Sequence, residues 1–137
     1  MSIESVQVGD ELGKLEIEIT RTLIVAGAIA SRDYQDVHHD GEIAKERGSK
    51  DIFMNILTTN GLVGRYVTDW AGPNCKILSV AIRLGVPNYP GDTMLLTGHV
   101  VETDPSSNEV LVEVTGSNSL GNHVTGQIKL VLPKKEI

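Results

Sequence analysis

The chain has 137 residues, 18 of them acidic and 12 basic, for a formal net charge of −6. That balance argues against a nucleic-acid binder, which needs a basic face, and a content of 40% hydrophobic and 22% charged residues excludes a disordered chain. Cys75 is the only cysteine, so no intramolecular disulfide can form and a cysteine-based zinc site has no support.

The opening "MSIESVQVGDELG" has no basic region followed by an apolar run. No segment approaches the ~20 apolar residues of a membrane span. A cytoplasmic protein without membrane contact is the expectation. There is no repeat, low-complexity tract or linker, so residues 1–137 are expected to form a single domain.

"KLEIEIT" (14–20) alternates and predicts a short strand. "RTLIVAGAIAS" (21–31) predicts a compact helix with Thr20 as its N-cap. "SRDYQDVHHD" (31–40) then concentrates three aspartates and two histidines in a turn-prone stretch. "DGEIAKERG" (40–48) predicts a helical turn or two, capped by Asp40 and ended by Gly48.

"NILTTNGLVGRYVTDWAGP" (55–73) is the longest predicted helix. Apolar side chains cover most of its circumference, the mark of a buried helix. Gly61 and Gly64 weaken a helix interior, and close approach of a sheet is their expected compensation. Gly72 and Pro73 stop it.

The rest is β-rich: 75–86, 92–104, 108–118 and 122–132, broken by "PNYPG", "DPSS" and "SLGN". Short breaks of this chemistry favour antiparallel hairpins and meanders. One buried helix followed by four long strands, with a fifth strand before it, predicts an α+β fold. A single curled antiparallel sheet wrapped around the long central helix, the hot-dog architecture, satisfies the pattern. Another two-layer α+β sandwich is the rival.

Asp33 and His38 are five positions apart. On a regular helix they would diverge by about 140°, because each residue turns ~100°. They converge only if the chain leaves helical geometry between them. A carboxylate and an imidazole aimed at one point can hold a water between them. Imidazole titrates near pH ~6.5, which suits proton traffic close to neutrality. That is the minimum equipment for adding or removing water across a double bond. The structural alternative is that Asp33 caps a turn and His38 is a satisfied buried histidine. His39, His99 and His123 are expected to be structural, and no third ligand completes a metal site.

"SRDYQDVHHDGEIAKERG" resembles the active-site segment of the MaoC-like, or R-specific, enoyl-CoA hydratases. The family pattern runs Ser-Gly-Asp, any residue, Asn-Pro, an aliphatic residue and His, followed by a helix with a small residue. Asp33 and His38 fall on the catalytic aspartate and histidine, Val37 on the aliphatic position and Ala44 on the small one. Arg32, Gln35 and Asp36 depart from the family's glycine, asparagine and proline. That asparagine helps position the catalytic pair in the family, and Gln35 could do so only with a longer reach; Gln35, Asn55 and Ile56 are the expected substrate-binding residues. Together with "GSKDIFMNILTTNGLVGRYVTDWAGP", "IRLGVPNYPGDT" and "SLGNHVTG", the segment looks like the small MaoC-like subunit of actinobacterial steroid side-chain hydratases.

The resemblance implies a hot-dog fold and a reversible hydration needing no cofactor, since CoA belongs to the substrate. The substrate would be a steroid enoyl-CoA with a three-carbon side chain and a C17–C20 double bond, from cholesterol or related steroid degradation. It implies catalysis by Asp33 and His38. The Asn55–Ile56 backbone at the start of the central helix is the expected oxyanion site, the alternative being that Asn55 merely caps the helix. It also implies a second, larger MaoC-like chain without the catalytic pair, a heterotetramer of two small and two large chains, and a downstream aldolase that acts through that partner. A hot-dog acyl-CoA thioesterase, a generic short-chain R-specific hydratase and a non-catalytic acyl-binding subunit are the other functions this pattern allows.

Overall fold

In a computed structural model, which describes residues 1–136, the chain forms five strands and three α-helices. They are β1 (Glu11–Glu18), α1 (Arg21–Ala30), α2 (Gly41–Glu46), α3 (Ile56–Ala71), β2 (Lys76–Leu84), β3 (Thr93–Asp104), β4 (Glu109–Asn118) and β5 (Gly121–Val131). Two 3-10 turns, Ile3–Ser5 and Asp36–His38, complete the elements.

The caps explain the helix starts. Thr20 accepts from the Leu23 amide at 3.0 Å. Asp40 accepts from Glu42 and Ile43 at 3.1 and 3.2 Å. Asn55 accepts from Thr58 at 3.0 Å. Each satisfies a first-turn donor that has no partner within its helix. The first strand starts earlier than its alternation predicts, at Glu11, because Gly13 (φ 86°) accommodates a bulge opposite β3.

The sheet has the order β1-β3-β4-β5-β2, and every pair is antiparallel. β3, β4 and β5 form the expected meander. The break "PNYPG" is not a hairpin turn, however. β2 pairs with β5 and β3 pairs with β1, so residues 85–92 carry the chain from one side of the sheet to the other. This is possible because the sheet curls around α3, the hot-dog arrangement.

The core lies between α3 and the concave sheet face. Val63, Tyr66, Val67 and Ala71 are buried there with Met94, Leu96, Val112, Val114, Ile128 and Leu130. The other side of α3 is uncovered: Ile56, Leu57, Gly61 and Arg65 are exposed, so the helix is buried on one face rather than all round.

The close approach expected at Gly61 and Gly64 occurs elsewhere. A Cβ added at either would meet nothing within 4 Å. The sheet supplies the space instead, at Gly98, where a Cβ would sit 3.4 Å from the Tyr66 ring and 2.8 Å from the Glu113 carbonyl oxygen. Helix α1 also yields, at Gly27, where a Cβ would lie 2.2 Å from Thr58 Oγ1. That second contact brings the end of α1 against the start of α3, where the titratable stretch lies. No helix among the described residues is long and apolar enough to cross a membrane.

Candidate active site

Helix α1 ends in a Schellman turn. The Arg32 amide donates to the Ile29 carbonyl at 3.0 Å and the Asp33 amide to the Ala28 carbonyl at 2.9 Å. This turn needs a left-handed residue at position 32, and Arg32 has φ 57°. A glycine adopts that conformation freely, whereas an L side chain pays ~1–2 kcal/mol. Arg32→Gly is therefore expected to raise unfolding stability by ~0.5–1 kcal/mol, part of the relief being offset by the greater freedom of glycine in the unfolded chain. Urea unfolding checks it; a less stable variant means that the arginine side chain makes a compensating contact.

The turn delivers Asp33, and the 3-10 turn that follows delivers His38. Asp33 Oδ2 stands 3.4 Å from His38 Nε2. The break between α1 and the 3-10 turn is what lets the two converge across five positions. Asp36 opens the 3-10 turn and pairs with Arg47 at 3.1 Å, which ties it to the end of α2.

His38 is buried, and its Nδ1 lies 2.7 Å from the Phe53 carbonyl oxygen. A carbonyl only accepts, so Nδ1 carries the proton. With Nδ1 so engaged, Nε2 is the nitrogen that faces Asp33, bare when the ring is neutral and a donor to the carboxylate when it is protonated. The Phe53 ring meets the imidazole edge to face, with centroids 5.0 Å apart and planes at 81°, which fixes the ring plane.

Asp33 is held by a donor that the sequence did not reveal. Asn55 Nδ2 donates to Asp33 Oδ2 at 3.1 Å and to Ser31 Oγ at 2.9 Å. Its Oδ1 accepts from the amide and, at 2.5 Å, the hydroxyl of Thr58. Asn55 is thus both helix cap and carboxylate anchor. Gln35 does not take the anchoring role: its side chain is exposed, and only its amide reaches Asp33, with a 3.3 Å contact to Oδ1. Asn55 is closer because the Gly27–Thr58 contact brings the start of α3 to the end of α1.

The hydrogen bond from Asn55 is the main reason the Asp33 carboxyl lies below its usual range. Burial opposes it, and the Gln35 amide and the charge of His38 add to it. The Thr58 amide is occupied by the cap, which leaves the Asn55, Ile56 and Leu57 amides as the helix-start donors. The other histidines lie apart from this pair. His39 and His99 are exposed. His123 is buried and satisfied on both nitrogens, by Thr59 Oγ1 and the Val86 carbonyl oxygen, each at 2.7 Å. No cluster of three metal-ligating side chains occurs among the described residues.

A family model described as "MaoC like domain" matches residues 5–121. The chain belongs to the MaoC-like family. Among similar proteins is the 3-oxo-4,17-pregnadiene-20-carboxyl-CoA hydratase beta subunit of Mycobacterium tuberculosis, 51% identical over 123 residues, covering 90% of this chain and 94% of that one. A chain in the crystal structure of the ChsH1-ChsH2 complex from Mycobacterium tuberculosis superposes with a TM-score of 0.89. It is 49% identical, over 92% of this chain and 98% of that one. The R-hydratase PhaJ1 from Pseudomonas aeruginosa also superposes with a TM-score of 0.89, over 99% of this chain and 88% of that one. At 21% identity it speaks for the fold alone.

Proposed function

We propose that this MaoC-like chain is the catalytic subunit of a hydratase acting on a steroid enoyl-CoA, adding water across the C17–C20 double bond of a three-carbon side chain. The observation that carries the reaction is the convergence of Asp33 Oδ2 and His38 Nε2, 3.4 Å apart. With Asp33 as carboxylate and the imidazole neutral, both atoms are acceptors, so a substrate water can donate to both. The substrate class follows from the 51% identical hydratase subunit.

The thioester carbonyl makes C17, the β-carbon, electrophilic. Asp33 is anchored by Asn55 and its carboxyl is held below the usual range, so it stays charged near neutral pH and is a weak base. It orients the water, and His38 Nε2 takes the proton as the water oxygen bonds to C17. The same proton then returns to C20, which balances the addition and places OH and H on one face. Charge that builds on the thioester oxygen meets the amides at the start of α3, with Asn55 and Ile56 as the proposed donors. Gln35, exposed next to Asp33, is proposed to face the substrate. CoA enters as part of the substrate, and no step calls for a cofactor.

The 17-hydroxy acyl-CoA product has a hydroxyl β to the thioester, which suits retro-aldol cleavage by an aldolase engaged through the partner subunit. The test is a comparison of substrates. A ring-bearing enoyl-CoA is expected to exceed crotonyl-CoA in kcat/KM. Enoyl absorbance should fall without release of free thiol. Equal or better turnover of crotonyl-CoA would return the chain to generic short-chain hydration, and thiol release would make it a thioesterase.

A further inference from the structure

Asn88 lies in the 85–92 crossing and is 0% exposed. Its backbone carbonyl accepts from the Met54 amide at 3.1 Å. Its side-chain Nδ2 is aimed at two thioethers, Met54 Sδ at 3.7 Å and Met94 Sδ at 3.4 Å. Its Oδ1 accepts from Asn118 Nδ2 at 2.8 Å, and the same Nδ2 reaches the Pro87 carbonyl oxygen at 3.0 Å.

Stability alone does not account for an amide at this place. Thioether sulfur is a weak acceptor. A buried amide whose donors meet only sulfur recovers little of its desolvation cost. An apolar residue of similar size would fill the space without that cost.

Asn88 meets Met54 at two points, its backbone carbonyl on the Met54 amide and its side-chain Nδ2 on Met54 Sδ, and the Asn118 bond to its Oδ1 fixes the place from which both are made. Met54 is the middle of an extended segment, residues 52–55, that has no helix or sheet hydrogen bonding of its own to fix it. On one side of it, the Phe53 carbonyl oxygen receives His38 Nδ1 at 2.7 Å. On the other, Asn55 Nδ2 reaches Asp33 Oδ2 at 3.1 Å. Alongside the Phe53 amide's bond to the Val37 carbonyl at 3.3 Å and the bonds of Asn55 to Ser31 and Thr58, the residue that holds Met54 therefore helps to set the acceptor of the imidazole and the donor to the carboxylate together.

We infer that Asn88, itself clamped by Asn118, is a positioning residue for the Asp33–His38 pair. It acts through Met54 and keeps His38 in the tautomer that turns a bare Nε2 toward Asp33. The inference rests on the pair being the acid–base centre of the proposed hydratase.

The test compares wild type with Asn88→Leu, which keeps the branched shape and number of heavy atoms but loses the amide, and with Asn118→Ala, which removes the clamp. Steady-state kinetics on the assembled enzyme are expected to show kcat lower by ~10-fold or more with KM little changed, since small misplacements of reacting groups are costly. Nitrogen NMR of histidine-labelled chain, with His38 assigned by its loss in His38→Ala, is expected to show protonated Nδ1 and bare Nε2 in wild type. In the variants the two tautomers should mix. Unchanged kcat, or an unchanged His38 tautomer in folded protein, overturns the inference, even if the variants melt earlier. If Asn88→Leu does not fold, Asn118→Ala decides by the same two readouts. The NMR result is independent of turnover: loss of the tautomer with full activity of Asp33→Asn would reject the assigned centre rather than the positioning contact.

Discussion

Asp33→Asn and His38→Ala are each expected to lower hydration by at least ~10²-fold, the usual contribution of a positioned acid–base group. The two losses have different causes. Asp33→Asn keeps the size of the side chain and its place beside Asn55, but removes the charge and one acceptor for water. His38→Ala removes Nε2 outright, together with the 2.7 Å bond from Nδ1 to Phe53. It should also cost about 1 kcal/mol of stability through that lost bond. His39→Ala should be far milder, because that ring is exposed and outside the pair. Rates on the assembled enzyme, with unfolding curves beside them, separate chemistry from folding. Near-full activity in either dyad variant would show that water is activated elsewhere, and a loss in His39→Ala equal to that in His38→Ala would mean the wrong imidazole was assigned.

Asn55→Ala should fall between these cases. It removes the donor to Asp33 and the cap of α3 together, and loss of a cap costs ~0.5–2 kcal/mol. That double duty also shows why the sequence disclosed some of this site and hid the rest. Asp33 and His38 are titratable and sit in a turn-prone stretch, so residue type and spacing made them candidates, and the resemblance to the family's active-site segment selected them. Asn55 was legible as a helix cap, since capping is a local property. Its grip on Asp33 depends on the end of α1 meeting the start of α3, a long-range contact set by Gly27 and Thr58. The Phe53 acceptor is a backbone carbonyl and leaves no mark in residue type.

The same division runs through the fold. The strands and the long helix followed from alternation, apolar content and turn residues. The place of β2 did not, because "PNYPG" has the composition of a hairpin turn yet spans the sheet as a crossing. Asn88 sits in that crossing, so its contact with Met54 could not be foreseen from a hairpin. The glycines in α3 misled for a related reason. Space between a helix and a sheet can be made on either element, and here Gly98 of the sheet makes it.

The chain purified alone is expected to show little activity on steroid enoyl-CoA, and to form a homodimer or aggregate. Among the described residues β1 and β2 end the sheet, and each has one side without a strand partner. Unpaired edges invite pairing. Apolar side chains are uncovered beside the Asp33–His38 pair as well. Tyr34, next to Asp33, is 67% exposed, and Ile56 and Leu57, which follow Asn55, are 50% exposed. We propose that these exposed side chains form one wall of the substrate groove and that the partner supplies the other. A four-ring substrate needs more room than two identical catalytic halves would leave, and a partner relieved of catalysis can open its own side. The proposed assembly is therefore two of these chains with two larger MaoC-like chains, in which Asp33 and His38 provide all the catalysis. Co-expression with the larger chain, size-exclusion chromatography with light scattering, and an assay of each pool measure it. The activity should follow the mixed complex and disappear when Asp33→Asn is built into the small chain alone. Full steroid hydratase activity in a stable homodimer would remove the need for the partner while leaving the assignment of the pair intact.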